Sequence, residues 1–167
     1  MDIKFMQMAI DLAKKSAEEG EVPVGAVVVC NGNIEPFNPE NMKMSATADE
    51  NGLFVAGTGR NRRETSKNAL HHAEIEAINE ACQNLGGWRL WRCDLYVTLE
   101  PCPMCAGAII NARIKNVYFG ASDKKAGSFG SVVNFNNLNY NFKPNVEGGI
   151  CEKECSDLLT SFFENLR

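Results

Sequence analysis

Between residues 95 and 105 the chain reads LYVTLEPCPMC. Residues 95–99 are aliphatic, aromatic or β-branched, a composition typical of a buried strand. Pro103 suits the first turn of a helix, where the N–H that proline lacks would have no helical partner. The segment therefore predicts a strand that passes directly into a helix, with Cys102 and Cys105 at the junction.

Further strands and helices are predicted on both sides of this junction. A continuous apolar run predicts a strand over residues 24–30, with residues 53–58 as its hairpin partner, and residues 116–119 predict another strand. Apolar residues at helical spacing predict helices over residues 3–19, 72–85, 103–112 and 152–166. Because strands alternate with helices, we expect an α/β fold: a three-layer α/β/α sandwich around a mostly parallel mixed sheet, with an antiparallel first hairpin.

Length and composition indicate one domain over residues 1–167. A chain of 167 residues that is 44% hydrophobic can bury one substantial core but is short for two. The sequence has neither a long uncharged apolar run nor the basic and then apolar order of a signal peptide, so we expect a cytoplasmic protein without a membrane segment. Seven cysteines, an odd number without a dense disulfide pattern, favour reduced thiols, some of which bind metal.

The net charge of −4 weighs against a nucleic-acid partner, because phosphate contacts need clustered Lys and Arg. The distribution of charge is more favourable than the total. In segment 33–53 acidic residues outnumber basic ones by three, so the rest of the chain is close to neutral. Basic residues cluster elsewhere, which keeps a local basic face open, at Arg60, Arg62, Arg63, Lys67, Arg113, Lys115, Lys124 and Lys125.

Two short motifs carry the candidate chemistry. His72-Ala73-Glu74 and Pro101-Cys102-Pro103-Met104-Cys105 each begin a predicted helix. The free N–H groups and positive dipole end of a helix start stabilise thiolates. One imidazole and two thiolates would hold a tetrahedral Zn²⁺ and leave its fourth position for water, which is the arrangement of a catalytic site.

Such a site could attack an electron-poor ring carbon that bears an amino group, and a carboxylate would then have to move the protons. Zinc lowers the pKa of bound water toward neutrality, which makes hydroxide available as the nucleophile. Glu74 follows His72 by two residues and could pass the water proton to the ring nitrogen and the leaving ammonia. The pairing of H-x-E with P-C-x-x-C is the known signature of zinc-dependent nucleobase deaminases.

Two other interpretations of these motifs are possible. A lone C-x-x-C can be a redox pair, but here it follows a strand and is accompanied by a distant histidine motif. A closed structural zinc site needs a fourth ligand, for which His71 is the nearest candidate. Adjacent helical residues point about 100° apart, so we expect His71 to pack or to face solvent.

Beyond these motifs the chain resembles the bacterial tRNA-specific adenosine deaminases, within the cytidine deaminase-like superfamily. The zinc motifs alone indicate only the superfamily, and the remaining matches indicate this member. They extend over nearly the whole chain except segment 33–53. The matching residues are 21–27, Asn61, Arg63-Glu64-Thr65, His72-Ala73-Glu74-Ile75, residues 95–108, Phe119-Gly120-Ala121, Asp123, Lys125, Gly127, Cys155, Phe162-Phe163 and Arg167.

This resemblance implies a homodimeric enzyme that converts the wobble adenosine of a tRNA anticodon to inosine. It implies zinc on His72, Cys102 and Cys105, with Glu74 as proton shuttle. It also implies that Asn61 hydrogen-bonds the extruded purine and that four further residues form its pocket: Val24 and Leu99 as lining, and the backbone of Ala73 and Glu100 as border.

The same resemblance implies contacts to the anticodon stem-loop outside the pocket. Lys125, Arg113 and the end of the last helix, with Phe163 and Arg167, would hold flanking phosphates and bases. Helical spacing predicts that at least one of Phe162 and Phe163 is a core residue, and the resemblance implies that the other contacts RNA. Segment 33–53 departs from the family pattern, and we expect it to be a solvated extension of the first hairpin.

Two other functions remain open at the level of sequence. A deaminase of free guanine or another small nucleobase would share the zinc motifs and need no basic surface. A non-catalytic domain that uses zinc only for stability is the other alternative. Glu74 argues against the latter, because a purely structural site has no use for a carboxylate beside an open coordination position.

Overall fold

The computed structural model describes residues 1–34 and 39–166, and within these ranges four α-helices surround a five-stranded sheet. Short 3₁₀ turns occur at Pro39–Asn41 and Phe135–Asn137. In chain order the elements are α1 (Ile3–Glu18), β1 (Gly25–Asn31), β2 (Leu53–Arg60), α2 (Ala73–Leu85), β3 (Cys93–Leu99), α3 (Pro103–Ala112), β4 (Asn116–Ala121), β5 (Asn145–Glu147) and α4 (Glu152–Asn165).

The sheet has the strand order β2-β1-β3-β4-β5. Strand β1 is antiparallel to both of its neighbours, β2 and β3, whereas β3, β4 and β5 pair in parallel. Four strands therefore run in one direction and β1 runs against them. This confirms the prediction of a mixed sheet with an antiparallel strand from the first hairpin, and it adds that the crossover through α2 places β3 on the far side of β1.

Alternating side chains of β1 show how the core is divided. Ala26 and Val28 belong to the apolar cluster that includes residues of α2 and α3, while Val27 and Val29 belong to the cluster that includes residues of α1 and α4. All four side chains are buried, which is expected of a strand covered on both faces. The predicted three-layer α/β/α sandwich is therefore confirmed.

One strand was not predicted from the sequence. Strand β5 has only three residues, and of these only Val146 is partly buried, against the apolar cluster under α2 and α3. Three residues with one inward side chain are too few to show an alternating pattern. The strand exists because it extends the parallel ladder beside β4.

The described part of segment 33–53 is exposed or half-buried, in agreement with a solvated extension of the hairpin, but it also makes contacts to the core that were not expected. Met42 and Ala46 pack against the core cluster, and the amide of Lys43 donates to the carbonyl of Asn84 near the end of α2, at 2.8 Å. Asp49 accepts a hydrogen bond from Lys4 Nζ at 2.6 Å. Residues 35–38 of the segment lie outside the described residues.

The end of α4 also differs from expectation. Phe163 is 48% exposed and Phe162 is only half-buried, and neither belongs to a core cluster. The packing of α4 against the sheet runs through Cys155, Leu158 and Leu159. The prediction that one of the two phenylalanines is a core residue was therefore wrong, because helical spacing does not reveal where along a helix its packing stops. Among the described residues, no helix has the length and apolar character needed to cross a membrane.

The close approach of α2 to β2 gives a testable prediction about stability. A Cβ at Gly57 would overlap the carbonyl oxygen of Ala77, so Gly57→Ala must push helix and strand apart. We expect the substitution to lower the free energy of unfolding by about 1–3 kcal/mol, measured by urea denaturation. Gly87→Ala is the matched control, since a Cβ at Gly87 meets no atom within 4 Å; equal stability of the two variants would contradict the packing argument.

Candidate metal and active site

The starts of α2 and α3 meet beside the end of β3. His72 is the residue immediately before α2, and Cys102 is the residue immediately before α3. Both have extended backbone conformations, and neither side chain forms a capping hydrogen bond within its own helix. Their side chains are therefore free to interact with each other across the two helix starts.

The ligand atoms of both motifs converge. Nδ1 of His72 lies 3.6 Å from Sγ of Cys102 and 3.6 Å from Sγ of Cys105. The three ligand atoms all lie within 4.8 Å of one another, with Cys105 buried and the other two half-buried. These three residues could hold one metal ion. His71 is not part of this group: its Nδ1 lies 3.9 Å from Oε1 of Glu76 instead.

The electrostatics of the cluster suit a cation. A hydrogen bond from Cys105, assisted by the neighbouring His72, lowers the pKa of Cys102 to about 4. The same contact, together with burial, raises the pKa of Cys105 above its usual range, and a hydrogen bond to Cys102 raises the pKa of His72. Two thiolates this close together would repel each other, and shared protons reduce that repulsion. A bound metal ion could replace the protons and have the same effect.

Glu74 lies beside this group on the first turn of α2. Glu74 is only 4% exposed. Its burial, and to a smaller extent the negative charge of Cys102, raises the pKa of the carboxyl to about 7. A carboxyl group with a pKa near neutrality can both accept and release a proton at physiological pH. The site therefore combines three donor atoms with an adjacent proton carrier.

A cavity of about 220 Å³ opens onto these groups. This volume is below the range typical of drug-sized ligands, so it suits a single small ring system. All five residues expected to bind the substrate line the cavity together with His72, Glu74 and Cys102: Val24, Asn61, Ala73, Leu99 and Glu100. The structure thus brings together these residues from four separate segments of the chain.

The Asn61 side chain is held in a fixed orientation. Its Nδ2 donates to the carbonyl of Val22 at 3.1 Å, and its Oδ1 accepts from the amide of Arg63 at 3.2 Å. The residue is 8% exposed. One N–H and one lone pair of the amide therefore remain for a ligand in the cavity.

Sequence reasoning missed several lining residues: Val22, Arg63, Asp123 and Ala126. Arg63 and Asp123 were part of the resemblance, but no role was inferred for them. It also treated Glu100 as a backbone border, whereas its carboxylate accepts hydrogen bonds from the amides of Asp123, Phe129 and Ser131. Although burial opposes ionisation, hydrogen bonds from Ser131, Asp123 and Phe129 hold the pKa of Glu100 below its usual value. The sequence shows Glu100 before Pro101, but it does not show the hydrogen-bond partners of its carboxylate, because they lie more than 20 residues further along the chain.

The residues expected to contact RNA are not all near the cavity. Lys125 is exposed and directly precedes Ala126, a lining residue. Arg113 instead terminates α3, a helix of 10 residues that begins at the metal-ligand cluster, so about 15 Å of helix separates it from that cluster. Its guanidinium donates to the carbonyl of Ile110 and lies over the ring of Phe142. Phe163 is on the exposed last turns of α4, and Arg167 lies outside the described residues.

Ion pairs reduce the unpaired positive charge of the basic cluster at residues 60–67. Arg60 pairs with Glu19 at 2.6 Å, and Arg62 pairs with Glu76 at 2.8 Å. Arg63 has a longer contact of 3.6 Å with the exposed Glu64. Arg63 is therefore the arginine of this cluster that combines a position on the cavity with a weak ion pair.

The ligand cluster predicts metal loss in defined variants. We expect Cys102→Ala to lose its bound transition metal, because two remaining ligands hold such an ion far more weakly, with metal per chain measured by mass spectrometry. Cys82→Ala is the matched control, since Cys82 is a half-buried thiol on α2 outside the cluster. Retention of stoichiometric metal by Cys102→Ala would contradict the assignment of this cluster as the metal site.

Comparisons with known proteins agree with this geometry. The family model for MafB19-like deaminases matches residues 2–167. A tRNA-specific adenosine deaminase of Bacillus subtilis (strain 168) is 42% identical over 99% of this chain and 91% of its own length. A solved structure from a study of A-to-I editing by tRNA:A34 deaminases is 37% identical, with a TM-score of 0.79 over 95% of this chain and 100% of its own. A guanine deaminase from Nitrosomonas europaea shares the fold, with a TM-score of 0.74 at 19% identity over 97% of this chain and 84% of its own. Given full-length matches at this level of identity, the chain belongs to the tRNA-specific adenosine deaminase family and is a deaminase, an enzyme that acts on C–N bonds.

Proposed function

We propose that this protein hydrolytically converts adenosine to inosine at the wobble position of a tRNA anticodon. One observation carries the proposal: His72, Cys102 and the buried Glu74 line the same cavity as Asn61, and Cys105 completes the ligand cluster behind it. The wobble adenosine is proposed as substrate because the related solved structure is that of a tRNA:A34 deaminase.

We further propose that the metal is Zn²⁺, held by His72, Cys102 and Cys105. Tetrahedral angles and ordinary zinc–sulfur and zinc–nitrogen bond lengths require a sulfur-to-nitrogen separation of about 3.6 Å. The two separations in the structure, each 3.6 Å, fit this requirement. When bound, zinc supplies a water whose pKa is low enough to act as nucleophile near neutral pH.

In this proposal Glu74 moves the protons. Its carboxylate accepts the proton of the attacking water and delivers it to the ring nitrogen of adenine. Glu74 then carries the remaining proton, that of the hydroxyl added to the ring carbon, to the amino group, and ammonia leaves as the C–N bond breaks and the hydroxyl oxygen becomes the ring carbonyl. Burial raises the pKa of the Glu74 carboxyl, which favours its uptake of the water proton.

The purine would be held by the walls of the cavity. Val24 and Leu99 offer apolar contact to the ring faces, and the backbone of Ala73 and Glu100 borders the reacting edge. Asn61 offers its remaining donor and acceptor to the purine edge. One amide cannot by itself separate adenine from guanine, so contacts to the rest of the anticodon loop must contribute to selectivity.

An anticodon loop is a physically reasonable target. Its bases are already largely unpaired, so extrusion of one base costs less than from a duplex. Lys125 beside the cavity and Arg63 on its wall are placed to meet phosphates next to that base. Phe163, Arg113 and Arg167 are proposed as further RNA contacts, although Arg113 lies at the opposite end of α3 from the ligand cluster.

A homodimer in the cytoplasm completes the proposal. Several large apolar side chains are at least half exposed and offer surface for a second copy, among them Leu70, Trp88, Val132 and Tyr140. A cytoplasmic location is supported by the proposed tRNA substrate and by the seven cysteines, all of which are free thiols.

The proton-transfer role of Glu74 predicts a variant that keeps its metal but loses its activity. We expect Glu74→Gln to retain zinc at the wild-type level, because no ligand is removed, while kcat falls by about 10²–10⁴-fold. Metal content by mass spectrometry and single-turnover deamination of an anticodon stem-loop measure the two properties. Zinc loss, or activity close to that of the wild-type protein, would reject this role.

The substrate proposal predicts a preference for RNA. We expect rapid ammonia release from an anticodon stem-loop that carries a wobble adenosine, and much slower release from free adenosine, cytidine or guanine. Because the loop contacts involve phosphates, KM for the stem-loop should rise with added salt, whereas turnover of a free base should change little.

The same assay separates the proposal from its alternatives. Fast turnover of guanine with an inert stem-loop would identify a deaminase of free nucleobases and overturn the tRNA substrate. No turnover of any of these compounds by the zinc-loaded protein would instead favour a non-catalytic zinc domain.

A further inference from the structure

The carboxylate of Glu100 is surrounded by donors from one loop. The residue is 2% exposed. Its Oε1 accepts from the amides of Phe129 and Ser131, each at 3.1 Å, and its Oε2 accepts from the amide of Asp123 at 3.0 Å and from the hydroxyl of Ser131. All these donors belong to residues 123–131, which follow β4, and we call this segment the β4 loop.

The β4 loop also lies unusually close to this carboxylate. A Cβ at Gly127 would overlap the Glu100 carboxylate, so the loop backbone approaches to a distance that only glycine permits. The amide of Ser128 donates to the carbonyl of Pro101 at 2.9 Å. The loop is therefore clamped both to the Glu100 side chain and to the turn that leads into Cys102.

Two residues of the β4 loop form part of the cavity wall. Asp123 and Ala126 both line the cavity that contains Glu74 and Asn61. The carboxylate of Glu100 anchors the loop on both sides of this wall, at Asp123 and at Phe129 with Ser131. This side chain, together with the hydrogen bond from Ser128 to Pro101, ties the wall to the turn that leads into Cys102.

We propose that Glu100 is a positioning residue, whose carboxylate fixes the β4 loop as the substrate-binding wall of the cavity. The inference rests on the proposed function, because it concerns the same cavity. Glu100 itself acts through Asp123 and Ala126. Its effect should therefore fall on substrate binding, since neither the metal ligands nor Glu74 change.

A carboxylate is required here for a simple chemical reason. Both of its oxygens accept hydrogen bonds, and all four neighbouring groups donate. Glutamine has the same shape but offers one oxygen and one NH₂ group. Its NH₂ would face at least one N–H of the loop, and the wall would have to move.

The test is the variant Glu100→Gln, assayed with the zinc-loaded protein and an anticodon stem-loop. We expect KM to rise about tenfold, kcat to stay within about threefold, and metal content to remain unchanged. Amide hydrogen exchange at Phe129 and Ser131 should become faster without any substrate present. Glu147→Gln is the matched control, because Glu147 is exposed on β5 and should leave all four measurements unchanged.

Three outcomes would overturn the inference: an unchanged KM, a fall in kcat alone, or loss of metal. If wild-type protein does not act on the stem-loop, the proposed function fails first, and the same measurements on free guanine and on amide exchange then decide the role of Glu100. If Glu100→Gln does not fold, Ser131→Ala removes one contact from the loop side and should raise KM about threefold; no change would then overturn the inference.

Discussion

The start of α2 and the start of α3 must lie within a few ångströms of each other for one ion to reach His72, Cys102 and Cys105. Most of the described fold serves this constraint. The crossover through α2 takes the chain past β1 to β3. Cys102 follows the end of β3 and lies at the same end of the sheet as His72. Gly57 and Gly59 let α2 lie so close to β2 that a Cβ at either position would overlap a carbonyl oxygen of the helix. Close packing and metal geometry are therefore two consequences of one arrangement.

The loops that complete the cavity are held by buried carboxylates. Glu100 binds the loop after β4, and the fully buried Glu21 accepts from the amide of Thr65 at 2.5 Å in the loop that follows Asn61. Loops normally cover the surface and move more than the elements they connect. Charge-assisted hydrogen bonds from backbone amides oppose that mobility. The two walls of the cavity thus have a defined shape although neither is a helix or a strand.

The positive charge available on the surface depends more on which arginines form ion pairs than on the net charge of the chain. Arg60 and Arg62 are engaged with carboxylates, so the basic cluster visible in the sequence offers less free positive charge than its composition indicates. Such surface pairs add little stability. Their main effect here is to leave two less engaged cationic groups, Arg63 on the cavity wall and the exposed Lys125 next to the lining residue Ala126. A short cationic rim suits a single-stranded loop better than a long duplex.

The amino-acid sequence by itself determined the helices, four of the five strands, the layered α/β fold and the donor residues of the ligand cluster. These features depend on local patterns: apolar periodicity, proline at a helix start, and donor residues at fixed spacing within a motif. Tertiary structure alone decided the rest. The order of the strands, the packing of Met42 against the core, the distance of Arg113 from the cavity and the partners of Glu100 all depend on contacts between residues far apart in the chain. Periodicity shows which face of an element is buried, but it contains no information about which distant segment covers that face.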